Sequence, residues 1–122
     1  MGMSQNKHEY DHDEWLDKHY YSRDIHKQFS KWAQNNISDM AEHGIKVDAL
    51  TFNESPTGEG GASAQFSTTK LLGSVEARER GFIDMQVCDM ESGTLVLNSH
   101  LEWQTSIEPA LVPFIQMLKE NP

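Results

Sequence analysis

Apolar and polar residues repeat along this chain with two different periods, and the change from one to the other divides it into elements. From residue 25 the set Ile25, Phe29, Trp32, Ala33, Ile37, Met40 and Ala41 recurs at intervals of three and four, which gathers it on one side of a helix. Ser22 is the expected N-cap, with Asp24 in the first turn where the helix dipole favours an anion, and Gly44 is a natural stop. Trp15, Leu16 and Tyr20 offer an earlier turn or a separate short helix, and the pattern does not choose between them. Residues 1–12 carry no period and are expected to form a disordered tail, leaving 13–122 as one domain.

Beyond Gly44 the period falls to two. "IKVDALTF" reads as a first strand with an irregularity near Ala49, and "NESPTGEGG" as a long turn. "ASAQFSTT", "LLGSVEARE", "FIDMQVCD" and "TLVLNSHLEW" follow, the later ones joined by "RG" and "MESG", short enough for consecutive antiparallel hairpins. One side collects Ala62, Ala64, Phe66, Val75, Ala77, Ile83, Met85, Val87, Leu95, Leu97 and Leu101. The other collects Ser63, Gln65, Ser67, Ser74, Glu76, Arg78, Phe82, Asp84, Gln86, Asn98, His100 and Glu102. "SIEPALVPFIQMLKEN" closes the chain as a helix with Ser106 as N-cap, Pro109 in the first turn, and Pro113 expected to kink or split it. Leu111, Phe114, Ile115 and Leu118 can cover the same apolar side as the first helix. The expected class is α+β: an N-terminal amphipathic helix, an antiparallel meander of four to five strands and a C-terminal helix, with both helices on one face.

Charge narrows the partners. Nineteen Asp and Glu against ten Lys and Arg give a net charge of −9 in 122 residues, which repels nucleic acid and anionic membranes and attracts basic proteins. Residues 81–118 hold Asp84, Asp89, Glu91, Glu102 and Glu108 with no Lys or Arg. A single cysteine, Cys88, forms no intramolecular disulfide, and neither a signal-peptide core nor an 18-residue apolar run is present. These features point to a cytoplasmic chain without a membrane partner, a monomer when alone.

Catalytic and metal motifs are weak by comparison. Among the six histidines His8, His12, His19 and His26 lie near carboxylates, yet no HExxH or other ligand spacing accompanies them, so no metal is expected. His43 beside Gly44 reads as a cation for the helix C-terminus. Cys88 with His100 on the outer face is the one nucleophile–base pair worth naming, and Asp84 with Glu102 the one pair of carboxylates. A flat sheet face gives neither of them a water-excluding cleft or oxyanion donors. "PTGEGGAS" is rich in glycine but lacks GK[ST] and precedes a strand, so it is a turn. No cofactor is expected.

"GSVEARERGFIDMQVCD" followed by "MESGTLVL" resembles the TriTu-type immunity proteins, cytoplasmic antidotes to type VI secretion toxins that ADP-ribosylate elongation factor Tu. The resemblance is carried by Gly73, Val75, Glu79, Gly81, Asp84, Met85, Val87, Asp89 and the Glu-Ser-Gly turn after them, with the "FSKW" helix before. In pattern it extends over residues 25–118. Arg78 stands where an aromatic residue is expected before the Glu-x-Gly turn. What the resemblance implies is a non-enzymatic inhibitor that binds the C-terminal domain of a cognate toxin. The surface expected to do so comprises Glu76, Arg78, Phe82, Asp84, Gln86, Asp89, Glu91, His100 and Glu102. A type III secretion chaperone holding an effector segment is the alternative class.

Overall fold

The computed structural model describes residues 22–122; the readings made for the polar tail, Trp15, Leu16, Tyr20 and the first three histidines lie outside them. Helix α1 (Ile25–Glu42) leads into five strands, β1 (Lys46–Asn53), β2 (Gly61–Ser67), β3 (Leu71–Arg78), β4 (Phe82–Asp89) and β5 (Leu95–Leu101), and helix α2 (Ile107–Glu120) follows. The strands pair antiparallel in the order β1-β2-β3-β4-β5. Both helices lie on one side, giving the α+β layer that the change of period implies.

Ile25, Phe29, Ala33 and Met40 form the buried stripe of α1, and Trp32 is half-buried against it. Ile37 and Ala41 were expected on that stripe but are exposed, because at 3.6 residues per turn they rotate past its edge. The helix also begins later than the Ser22 cap implies. Asp24 holds the N-cap position at φ 53°, its N–H donating to Ser22 Oγ at 3.0 Å, and its side chain makes no cap bond. The start is fixed from outside: the N–H groups of Arg23 and Ile25 both donate to the carbonyl of Glu79 in the β3–β4 turn, at 3.0 and 3.5 Å. At the other end Gly44, at φ 77°, donates to Ala41 and Ile45 donates to Met40, a Schellman closure that buries Ile45 with Met40.

A second surprise lies at the start of α2. Ser106 occupies the N-cap position but makes no side-chain cap bond. Instead Gln28 reaches over from α1: its Oε1 accepts the Ile107 N–H at 3.1 Å, and its Nε2 donates to the carbonyls of Arg23 and Thr105, each at 3.1 Å. One amide therefore holds both helix starts. Pro113 sits inside α2 without splitting it, and Ile107, Ala110, Leu111, Phe114 and Leu118 are buried.

The helices and sheet meet around Phe66. Its ring stands edge-on to Phe114 at 5.1 Å and to Phe29 at 6.5 Å, with Trp32 tilted against it at 6.4 Å. Gly73 in β3 permits this closeness, because a Cβ there would lie 2.8 Å from Phe114 Cζ. Of the eleven residues assigned by alternation to this inner side, the eight from Ala62 to Val87 are buried and Leu97 and Leu101 partly so. Leu95 is exposed instead. A register shift between Val87 and Cys88 skips Val96 and pairs Leu95 with outward-facing Cys88, which turns its side chain over. The β1 irregularity falls where expected, between Asp48 and Thr51, with Ala49 at φ 50°.

Candidate functional site

Nothing among the described residues covers the outer side of the sheet with a second layer, and the strand register orders its side chains into rows. One row runs Ser67, Leu72, Cys88, Leu95; the next Gln65, Ser74, Gln86, Asn98; the next Ser63, Glu76, Asp84, His100; and Arg78 pairs with Phe82 at the far end. The face thus grades from apolar, through an amide row in which Gln86 donates to Asn98 at 3.3 Å, to an ionic end. Of the nine residues read from sequence as a partner surface, Glu76, Arg78, Phe82, Asp84, Gln86, His100 and Glu102 are brought together on this face.

His100 is the hub of the ionic end. Its Nδ1 lies 2.6 Å from Asp84 Oδ1 and its Nε2 3.0 Å from Glu102 Oε2. Both carboxylates accept, so both nitrogens must carry protons, which is the imidazolium form. The hydrogen bond to Asp84, then that to Glu102, hold the His100 pKa above its usual value. The Phe82 and His100 rings meet edge-to-face with centroids 5.8 Å apart, and Phe82 also meets Trp103 edge-to-face at 4.8 Å. Arg78 pairs with Glu76 at 2.9 Å on its own strand, and this partner raises the guanidinium pKa. Arg78 and Asp84, on neighbouring strands, therefore belong to two separate pairs.

Asp89 and Glu91 part from this group. The Asp89 carboxylate accepts the N–H groups of Glu91 at 2.9 Å and Ser92 at 3.0 Å, and these bonds, that from Ser92 foremost, hold its pKa below the usual range. Its charge is used to shape the β4–β5 turn, as Asx turns do. Cys88 and His100 share the outer side but stand two rows apart, too far for a nucleophile–base dyad.

Beside the ionic end an open cleft of about 400 Å³ is lined by Thr51, Asn53, Glu76, Arg78, Arg80, Phe82 and Trp103. The Arg23 guanidinium lies 5.7 Å over the Trp103 ring. Sequence reasoning missed Trp103 and Arg80 here, though the aromatic residue ending "TLVLNSHLEW" was the available signal. A second, more apolar groove of about 560 Å³ runs between the helices past Trp32, Leu111, Val112 and Ile115.

His26, Glu54 and Glu79 converge among the described residues closely enough to consider a cation. His26 is fully buried and stacked on Phe52 at 5.3 Å, with Nε2 2.6 Å from Glu54 and 3.9 Å from Glu79. Metal-bound imidazoles use the second nitrogen on a carboxylate or carbonyl, whereas Nδ1 here is buried without a partner. Lys27 Nζ stands 3.4 Å from the other Glu54 oxygen, where it competes with a cation. Glu79 also accepts the Gly60 N–H at 3.2 Å, so the cluster is a polar clasp joining α1, the β1–β2 loop and the β3–β4 turn. The His26 hydrogen bond is the main cause that lowers the Glu54 pKa. These partners lie 28 and 53 residues away, so the carboxylates near His26 in sequence were not the ones that matter.

No helix among the described residues is long and apolar enough to cross a membrane. Comparison with protein-family models, with curated proteins and with solved structures finds no match in any of the three.

Proposed function

We propose that the chain is an immunity protein that acts in the cytoplasm by binding a cognate bacterial toxin domain. In the reading that follows from the 73–93 segment, the toxin is a polymorphic, type VI secreted ADP-ribosyltransferase, and binding occludes its active site or substrate surface. The observation that carries the reading is the uncovered outer sheet face, with Glu76, Asp84 and Glu102 around His100 and a Phe82–Trp103 aromatic pair beside them. Aromatic anchors inside a charged rim suit recognition of another protein. In this reading the chain acts by stoichiometric binding, with no chemistry or cofactor of its own.

The test is coexpression with the C-terminal domain of the toxin encoded beside it. Cells survive, the two chains copurify, and Asp84→Asn with Glu102→Gln slows association and weakens its dependence on salt. Survival with only a fleeting complex and a chemically altered toxin overturns the reading in favour of an enzyme. A secretion chaperone is the second reading, favoured by the apolar groove between α1 and α2, which has the form that takes an amphipathic helix. Copurification with a type III effector segment instead of a toxin domain selects it.

A further inference from the structure

The two edges of the sheet are built differently. β1 carries a register shift in mid-strand, Lys46 and Asp48 on its outer side, and α1 packed across it, all of which discourage another strand from pairing there. β5 has none of these over most of its length. From Leu97 to Leu101 it pairs with β4 in unbroken register, it contains no Lys, Arg or Pro, and none of its residues is buried. Its second edge has no strand neighbour among the described residues. Leu97 and Leu101 on the helix side are only partly covered, while His100 stands on the outer side in hydrogen-bond contact with Asp84 and Glu102.

We propose that β5 is a docking edge for an extended segment of a basic partner protein, added to the sheet as a sixth strand. Charge complementarity selects this occupant. A strand beside β5 places alternate side chains over Leu97 and Leu101 and the intervening ones along the outer row, where the two carboxylates of Asp84 and Glu102 outweigh the single charge of His100. The segment it fits therefore alternates apolar residues with Lys or Arg. A second copy of this chain is disfavoured by the same argument, because it brings a net charge of −9 and another acidic β4–β5 region against the first. The inference concerns backbone pairing at the edge and stands whether or not the partner is a toxin.

The test uses amide hydrogen exchange on the full chain with three synthetic peptides, acetyl-KVKVKVK-amide, the block isomer acetyl-KKKKVVV-amide and the acidic acetyl-EVEVEVE-amide. In the free chain the alternate β5 amides that do not bond to β4 exchange rapidly. The alternating basic peptide slows them by about tenfold or more, while neither control does. Ser99→Lys, which sets a cation on the helix side of the edge opposite Met85, abolishes the effect. Equal protection by the block isomer would mean attraction by charge without strand addition, and protection confined to β1, or absent, would mean that the edge is not a docking site. Slow exchange in the free chain, relieved by dilution of a dimer or by deletion of residues 1–21, would show an occupant already in place; each of these results overturns the proposal.

Discussion

Replacing Gln28 by Ala removes the single side chain that closes both helix starts, and its cost can be worked from three bonds. The decisive one is the acceptor for Ile107 N–H, since Ile107 is only 3% exposed and its amide has little water to turn to. An unsatisfied buried donor costs about 1–3 kcal/mol. The carbonyls of Arg23 and Thr105 lie nearer solvent, so losing their donor adds less, and the slightly better helix propensity of Ala returns a few tenths of a kcal/mol. The net is about 2 kcal/mol, a sizeable share of the ~5–15 kcal/mol that holds a small domain together. With a urea slope of about 1–3 kcal/mol/M the midpoint falls by about 1 M. Gln28→Glu keeps the acceptor and sets a negative charge by the positive end of α2, so it recovers part of the loss, whereas Gln28→Met fills the space and recovers none. An unchanged midpoint in Gln28→Ala, or equal losses in the Glu and Met variants, refutes the reasoning.

Three further outcomes follow from the same geometry. The His100 pKa is raised on folding, so its share of stability is full below the unfolded value of 6.5 and is lost as pH rises through the folded one; His100→Gln flattens that decline in thermal midpoints measured from weakly acid to alkaline pH, and an unaltered slope counts against the Asp84 and Glu102 bonds. For Asp89 the sign is opposite: its pKa is lowered, so its contribution is present above the unfolded value of 3.8 and lost as pH falls through the folded one. Asp89→Ala therefore lowers the urea midpoint at neutral pH but brings no loss once the parent's carboxylate is protonated, and a deficit of the same size at both extremes would show that charge is not its role. Gly73→Ala drives a methyl against Phe114 and costs about 1–3 kcal/mol by overpacking, which Phe114→Leu in the same chain relieves; additive losses in the double variant would place the strain elsewhere.

Periodicity carried the element order, the strand pairing and the inner side of the sheet, because burial on one face imposes a period that local sequence must obey. It failed where distant parts intervene. Ser22 and Ser106 read as caps by type, yet Glu79 and Gln28 supply the bonds at the two helix starts, and no local pattern points to either. Leu95 was misplaced because a one-residue shift reverses a strand's sides, and "MESGTLVL" shows nothing of where pairing resumes. The outer-face residues were legible as a set, since alternation fixes their side. Their partners were not: Asp84 with His100 depends on cross-strand register, and Arg78 turns to Glu76 along its own strand, where alternation fixes the side but not the choice of partner. Asp89 was legible as a charge but not as an Asx turn, and Trp103, read as the end of the last strand, lies past it at φ 56°, where alternation no longer fixes its side.

The strand order β1-β2-β3-β4-β5 has a consequence for how the molecule comes into being. Every ladder joins neighbours in sequence, so the sheet can zip up one hairpin at a time with little loop-closure entropy at each step, a route that favours rapid folding. The helices do not share this economy, because Phe66 meets Phe114 and Gln28 meets Ile107 over long separations in sequence, the latter 79 residues. On the ribosome, five strands and α1 are synthesised before α2 emerges, and until it does the sheet side around Phe66 and Gly73 lacks the cover of Phe114. The interval between finishing β5 and docking α2 is thus the stage at which a nascent chain is most exposed to aggregation, and truncation before residue 107 would make that stage permanent.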